Sequence, residues 1–187
     1  MTLTHQNIEA VLQLCKSGNQ HAQIEVYNRY YKAMYNTSYR IVKDSFKAED
    51  IMQESFLTAF TKLDSLKDVS TFGAWLKRIV INNSIYNYHK NNKHNDVPLD
   101  DVLYKVEDHQ EGSNDDYEFT NLKAAKVLET MKSLKDNYQV GLTLHLIEGY
   151  DYDEICEIMN ISYANCRTLI SRAKDSLRQK LQTLAEF

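Results

Sequence analysis

The side chains best suited to bind a nucleic acid are concentrated near the C-terminus, between Ser162 and Leu181. At helical spacing one face of this stretch is apolar. The other face is small, polar and basic, and it carries Ser162, Asn165, Arg167, Thr168, Ser171, Arg172 and Lys174. From residue 162 to the end, five basic residues stand against two acidic ones, in a chain whose formal net charge is -4. Such a local excess of positive charge is typical of a surface that contacts phosphates.

A short helix and a sharp turn are predicted to hold this face in position. Asp151 can cap the helix while Glu154 reaches back to the cap's amide, and Asn160 suits the left-handed backbone of a turn. Ser162 can then cap the second helix, which matches the recognition helix of a helix-turn-helix that enters the major groove. A generic pair of packed helices would have the same apolar pattern, and the charge asymmetry favours DNA binding.

Acidic and amide side chains form a second cluster at the start of a predicted helix, Ala48–Leu66; they are Glu49, Asp50, Gln53 and Glu54. Acids near a helix N-terminus can simply complement the helix dipole. The cluster can also be a docking face for a basic partner. The sequence leaves both interpretations open.

A third set of side chains follows a polar loop at residues 64–71, on a long predicted helix, Phe72–Lys93. Its outward positions combine bases, amides and an aromatic residue: Lys77, Arg78, Asn82, Asn83, Tyr86, Lys90 and Lys93. Aromatic rings can stack on unpaired bases while cations hold the backbone. This pattern suits single-stranded or melted nucleic acid.

The whole chain is predicted to be all-α, because its 187 residues include one proline and five glycines and almost no β-branched alternation. Further helices are expected at residues 5–18, 21–42 and 140–147. We predict two small helical domains, an N-terminal bundle at 1–94 and a C-terminal helix-turn-helix domain at 119–187, joined by a flexible acidic linker at 95–118. The three segments carry net charges of +4, 0 and -8 respectively. The acidic total therefore does not argue against DNA binding.

Several classes of function are disfavoured by what the sequence lacks. It has no long apolar run and no export signal, so we expect a cytoplasmic protein without direct membrane insertion. The three cysteines form no CxxC pair and are expected to be reduced core residues. The six histidines are scattered, and there is no metalloprotease motif, phosphate loop or nucleophile elbow. We expect no enzyme activity, cofactor, metal or small-molecule substrate.

The order of these parts resembles a known family. The segments AEDIMQESFLTAF and TFGAWLKRIVINNSI, an acidic linker, and then EGYDYDEICEIMNIS and SRAKDSLRQKL are similar to the extracytoplasmic-function (ECF) group of the sigma-70 family. The resemblance implies a bacterial transcription initiation factor that binds core RNA polymerase and directs it to promoters. It implies contacts with the β′ clamp helices and the β flap of the polymerase, with promoter DNA, and with an anti-sigma factor.

The resemblance also implies roles for individual residues. The core-polymerase contact is predicted at Glu49, Asp50, Gln53, Glu54 and Phe56. The loop and the helix after it correspond to the elements that capture a flipped base and melt the -10 element, with contacts predicted at Lys67, Phe72, Lys77, Arg78, Asn82 and Asn83. The -35 element is predicted to meet the helix at 162–181 through the seven residues named first. The acidic linker is similar to segments that thread toward the RNA exit channel.

Two residues of the recognition helix depart from the family pattern. Leu169 stands where many members have a basic residue, and Ala164 stands where glycine is common. The basic tail after the melting helix is also milder than usual. The promoter sequence therefore cannot be copied from a relative. A stand-alone helix-turn-helix regulator that binds duplex DNA as a dimer remains the alternative.

Overall fold

The computed structural model describes the backbone of residues 3–92 and 115–183, and the side chains of 3–90 and 122–183. Every regular element in these ranges is helical, which confirms the all-α prediction. The chain divides into two compact units, Met1–His94 and Asn95–Phe187, called here the N-terminal and the C-terminal unit. Residues 95–114 of the predicted linker lie outside the described ranges. Residues 115–118 are helical, so the second helical segment begins earlier than we expected.

The N-terminal unit contains four α-helices: α1 (Ile8–Lys16), α2 (Gln20–Val42), α3 (Ser45–Thr61) and α4 (Phe72–Asn92). Short 3₁₀ turns lie at Leu3–His5, Leu63–Ser65 and Val69–Thr71. Helix α3 begins three residues before the predicted start because Asp44 caps it, accepting a hydrogen bond from the Lys47 amide at 3.0 Å. It also ends earlier than predicted, at Thr61.

The core of this unit is built from the facing sides of α2, α3 and α4 with α1 packed beside them. Tyrosines of α2 contribute ring contacts to this core. Tyr27 lies 4.9 Å from the ring of Phe56, and Tyr30 lies edge-on to Phe72 at 5.4 Å. These contacts fix α3 and α4 against the same central helix, and the outer faces of both are left to solvent.

The C-terminal unit contains α5 (Asp115–Lys132), α6 (Asp136–Leu142), α7 (Tyr152–Met159) and α8 (Tyr163–Thr183). A π-helical turn, Thr143–Ile147, follows α6, so the single helix predicted at 140–147 is two segments. The core of the C-terminal unit includes Met131, Leu134, Leu142, Ala173 and Leu177.

Gly141 lets α8 pack closely on α6. A Cβ at this position would lie 3.2 Å from both Leu169 Cδ2 and Ile170 Cδ1. Leu169 is accordingly half-buried. The leucine that departs from the family pattern therefore has a packing role in this chain.

Candidate functional site

The turn between α7 and α8 has the local geometry that the sequence predicts. Asp151 Oδ1 accepts a hydrogen bond from the Glu154 amide at 2.8 Å, and Glu154 Oε2 accepts one from the Asp151 amide at 3.0 Å. Asn160 has φ 53° and ψ 51°, in the left-handed region. Ser162 Oγ accepts from the Asn165 amide at 3.3 Å. The predicted capping box, turn residue and second cap are confirmed.

Helix α8 separates its two faces cleanly. Its inner side chains are buried in the unit's core: Cys166, Ile170, Ala173 and Leu177. Of the seven predicted -35 contacts, Lys174 is half-buried and the others are exposed: Ser162, Asn165, Arg167, Thr168, Ser171 and Arg172. The Thr168 hydroxyl donates to the Ala164 carbonyl at 2.9 Å, so its oxygen can still accept a hydrogen bond.

Two neighbours of this face were missed in the sequence. Asn137 of α6 lines a groove of about 240 Å³ together with Asn165, Thr168 and Arg172 of α8. Tyr163, half-exposed at the start of α8, lies 6.2 Å from the ring of Tyr152 in an edge-on arrangement. No spacing pattern connects Asn137 to α8. Tyr163 was detectable as an aromatic residue in the first turn of the recognition helix.

The acidic cluster lies on the outer face of α3. Glu49, Asp50, Gln53 and Glu54 are all exposed. Gln53 Nε2 donates to Glu49 Oε1 at 3.2 Å, which orders part of the cluster. Phe56 is only 2% exposed and packs in the core. The prediction that Phe56 contacts a partner is therefore corrected, because its helical position faces α2.

The predicted -10 residues differ widely in exposure. Lys67 in the loop and Asn82 on α4 are exposed, and Lys77 and Arg78 are half-buried. Tyr86, one turn beyond Asn82, is 69% exposed. Phe72 is 1% exposed, because its ring packs against Tyr30 and Trp75 at the start of α4. Its predicted contact with DNA is also corrected to a packing role.

Asn83 is half-buried and bonded within the protein. Its Nδ2 donates to Ser55 Oγ at 3.0 Å, and the Ser55 hydroxyl donates to the Ile51 carbonyl at 2.6 Å. One turn of α4 is thereby joined to one turn of α3. Asn83 is placed to hold α4 in position rather than to present its amide group to a ligand.

The loop before α4 is ordered by Asp68. Its Oδ1 accepts hydrogen bonds from the amide and the hydroxyl of Ser70, at 2.9 and 2.7 Å. These bonds hold the pKa of the Asp68 carboxyl below its ordinary value. An open cavity of about 610 Å³ lies between this loop and α1. Lys67 is on its rim.

Features of other functional classes are few in the residues that the structure describes. No three His, Cys, Asp or Glu side chains there come together as a possible metal site. No helix within 3–92 or 115–183 is long and apolar enough to cross a membrane. Burial raises the pKa of both the Cys15 and Cys166 thiols to about 11, so neither is a ready nucleophile at neutral pH.

Comparisons with known proteins match both units. The family model for Sigma-70 region 2 matches residues 26–94, and the model for Sigma-70, region 4 matches residues 124–177. The ECF RNA polymerase sigma factor SigW of Bacillus subtilis is 30% identical, over 90% of this chain and 94% of the relative. The RNA polymerase sigma-H factor of Pseudomonas aeruginosa is 27% identical, over 97% of both chains.

Two solved structures have a similar fold. The sigma factor RpoE of Bartonella quintana, in complex with the anti-sigma factor NepR, has a TM-score of 0.56 at 20% identity and covers 84% of this chain and 95% of its own. CnrH, in complex with the cytosolic domain of CnrY, has a TM-score of 0.53 at 21% identity and covers 94% and 97%.

The two family models match in the order in which the sequence segments suggested the resemblance, and together they cover more than half of the chain. A stand-alone helix-turn-helix regulator would need only the second match, so that alternative is not favoured. The family consists of transcription factors rather than enzymes. The chain belongs to the ECF group of the sigma-70 family and is a sigma factor that directs RNA polymerase to promoters.

Proposed function

We propose that the two units divide the work of initiation. The N-terminal unit docks on core polymerase and reads and melts the -10 element, and the C-terminal unit reads the -35 element. Each step uses binding energy alone, with no covalent chemistry and no cofactor. The observation that carries this proposal is the exposed acidic face of α3. DNA would be repelled by this face, so the N-terminal unit has a surface for a basic protein partner that is distinct from its basic loop and α4.

Docking is assigned to Glu49, Asp50, Gln53 and Glu54. Their exposure on one face of α3 supports a contact with a basic element, for which the resemblance names the β′ clamp helices. Acids that only complemented a helix dipole would lie in the first turn. Asp50 and Glu54 stand beyond the first turn of α3, which begins at Ser45.

Reading of the -10 element is assigned to Lys67, Lys77, Arg78 and Asn82. Exposed Asn82 and Tyr86 lie one turn apart, an arrangement that can pair an amide group with a stacking ring for an unpaired base. Unstacking a base costs a few kcal/mol, which the bound strand must offset. Asn83 contributes by holding α4 against α3.

Reading of the -35 element is assigned to the exposed face of α8, with Asn165, Arg167, Thr168, Ser171 and Arg172 nearest the bases and Ser162 and Lys174 at its margins. The cap at Ser162 and the capping box of α7 support this assignment, because they fix the entry of the helix that must enter the groove.

Regulation is assigned to an anti-sigma factor in the cytoplasm, where polymerase and promoter DNA meet. The similar fold of RpoE, a sigma factor in complex with the anti-sigma factor NepR, supports this partner class.

Transcription in vitro tests the proposal. The purified chain is added to core polymerase from a bacterium of the same group, with fragments of that bacterium's genome as template. Discrete new start sites are expected. Asp50→Lys should abolish them, because it reverses the charge at the centre of the docking face. Glu9→Lys, the same reversal at an exposed position of α1, should retain them.

Equal activity of the Asp50→Lys and wild-type proteins would remove the docking role from α3. If no start sites appear and the protein alone shifts duplex DNA as a dimer, the regulator hypothesis replaces the division of work proposed here.

A further inference from the structure

Two large apolar side chains of α3 project into solvent at either end of the acidic cluster. Phe46 is 81% exposed and Leu57 is 69% exposed. They are eleven residues apart, which is three helical turns at 3.6 residues per turn, so both point in the same direction. At about 1.5 Å per residue their backbones lie about 16 Å apart along the helix.

This exposure is not relieved by rotating the helix. The opposite face of α3 is already buried in the core of the unit, through Ala48, Ile51, Met52, Ser55, Phe56 and Ala59. Turning α3 to cover Phe46 or Leu57 would expose that set. Both apolar side chains are therefore fixed outward by the packing of the bundle.

Polar side chains fill the line between them. Asp50 and Gln53 are four and seven residues after Phe46, close to the same direction, and Glu49 and Glu54 lie to either side. The face thus has an apolar group at each end and acids at its centre. Interfaces commonly combine a few well-buried apolar or aromatic anchors with surrounding polar contacts.

We infer that Phe46 and Leu57 are the apolar anchors of the polymerase contact, and that the basic element of core polymerase that docks there lies along α3 for at least three turns. The inference rests on the proposed docking role of α3 and extends it. The central acids select a basic element, and only an element that runs parallel or antiparallel to α3 can cover both ends of the line.

The anchors and the acids should then act on different kinetic steps. Exposed charges steer the encounter, so they set the association rate and its dependence on salt. Apolar side chains that are buried on binding hold the complex together, so they set the dissociation rate and respond little to salt.

Binding kinetics of the full chain to core polymerase, at low ionic strength and at about 0.15 M, test this division. Phe46→Ala and Leu57→Ala should each speed dissociation about tenfold at both salt concentrations, with little change in association. Asp50→Asn should slow association, and more so at low salt. Ile24→Ala is the control, since Ile24 is a 57% exposed apolar side chain on α2.

If Phe46→Ala and Leu57→Ala both dissociate at the wild-type rate while Asp50→Asn associates more slowly, the two side chains are not anchors, and the docking role of the acidic face remains. Wild-type binding of Asp50→Asn and Asp50→Lys as well would overturn the docking role itself. If Ile24→Ala dissociates as fast as the two α3 variants, the assignment of Phe46 and Leu57 as anchors is also overturned. Thermal unfolding of each variant checks that all remain folded.

Discussion

Arg172 offers the strongest single test of promoter reading. Its side chain is exposed on α8 beside Asn165 and Thr168, and guanidinium groups form bidentate hydrogen bonds with guanine edges. Arg172→Ala should cost about 1–3 kcal/mol of holoenzyme binding to a cognate promoter and relax discrimination at one base pair of the -35 element. The measurement is competition binding with single-base-pair variants of that element.

Arg178→Ala is the matched control on the same helix. Arg178 is exposed near the end of α8 and donates to Asp175 Oδ1 at 2.8 Å. A surface ion pair of this kind contributes about 0–1 kcal/mol to folding stability, so its loss should leave the protein folded. Because Arg178 is outside the proposed reading face, the control should bind promoter DNA with near wild-type affinity. If Arg172→Ala weakened binding equally on all the variants, Arg172 would hold phosphate and read no base.

Asn82 and Asn83 illustrate how neighbouring residues of the same type acquire different roles. Asn82 is exposed, whereas Asn83 donates its amide to Ser55 across the α3–α4 contact. The sequence assigns both to DNA because both fall outside the main apolar stripe. Only the pairing of α4 with α3 separates a residue that can contact a ligand from one that positions the helix.

At the scale of elements, the cap of α3 has a predictable response to pH. The Lys47 amide hydrogen bond lowers the pKa of Asp44 from its ordinary 3.8. Because the folded pKa is the lower one, the carboxylate's contribution to stability is present above about pH 4 and is lost as the pH falls through the folded pKa. Asp44→Asn keeps a good cap without a titrating group, and Asp44→Ala removes the cap at a cost of about 1 kcal/mol.

Urea unfolding of the three proteins between about pH 2 and 7 measures this effect. At neutral pH the asparagine variant should be close to wild type and the alanine variant less stable. Below about pH 4 the free energy of unfolding of wild type should approach that of Asp44→Ala, while Asp44→Asn should remain more stable than Asp44→Ala. A constant difference between wild type and Asp44→Asn over the whole range would contradict the assignment.

The helices whose ends depend on local chemistry are those that the sequence predicts best. The capping box of α7, the turn at Asn160 and the cap at Ser162 join groups within four residues of one another, so spacing alone identifies them. The same reasoning was available for Asp44 and was missed, because Ala48 begins the stretch that resembles the family.

Burial of the two phenylalanines agrees with their helical spacing, which places Phe56 and Phe72 on the apolar faces of their helices. Their contacts with a partner and with DNA were implied by the resemblance alone, whereas in the fold both rings pack against tyrosines of α2. The groove residue Asn137 was missed because α6 and α8, which meet at the groove, are distant in sequence. The outward face of α8 could be predicted because its helix is long and strongly amphipathic.

On the scale of the whole molecule, the net charge differs strongly from one segment to the next, and the total of -4 conceals this difference. Residues 1–94 carry a net +4 and residues 95–118 a net -8, while the remainder is neutral. Within the C-terminal unit the positive charge is concentrated toward α8. Each proposed surface therefore has its own electrostatic character: acidic on α3, and basic on α4 and α8.

Two reading surfaces in separate units predict additive contributions to promoter binding. In the proposed division of work, core polymerase holds both units on one DNA, so each contact raises the effective concentration of the other without needing a direct coupling. Sites that share no packing partners add in free energy within about 0.5 kcal/mol. Asn82→Ala with Arg172→Ala should therefore weaken holoenzyme binding to a cognate promoter by the sum of the two single effects.

The promoter supplies the matched control for this additivity. On a template whose -35 element is scrambled, the Arg172→Ala penalty should disappear while the Asn82→Ala penalty persists, because each side chain loses only the contact that it makes. A double variant that departs from the sum by more than about 1 kcal/mol would contradict independent reading, since couplings of that size arise between residues in contact or in one network. Competition binding on the intact and scrambled templates measures all four proteins under the same conditions.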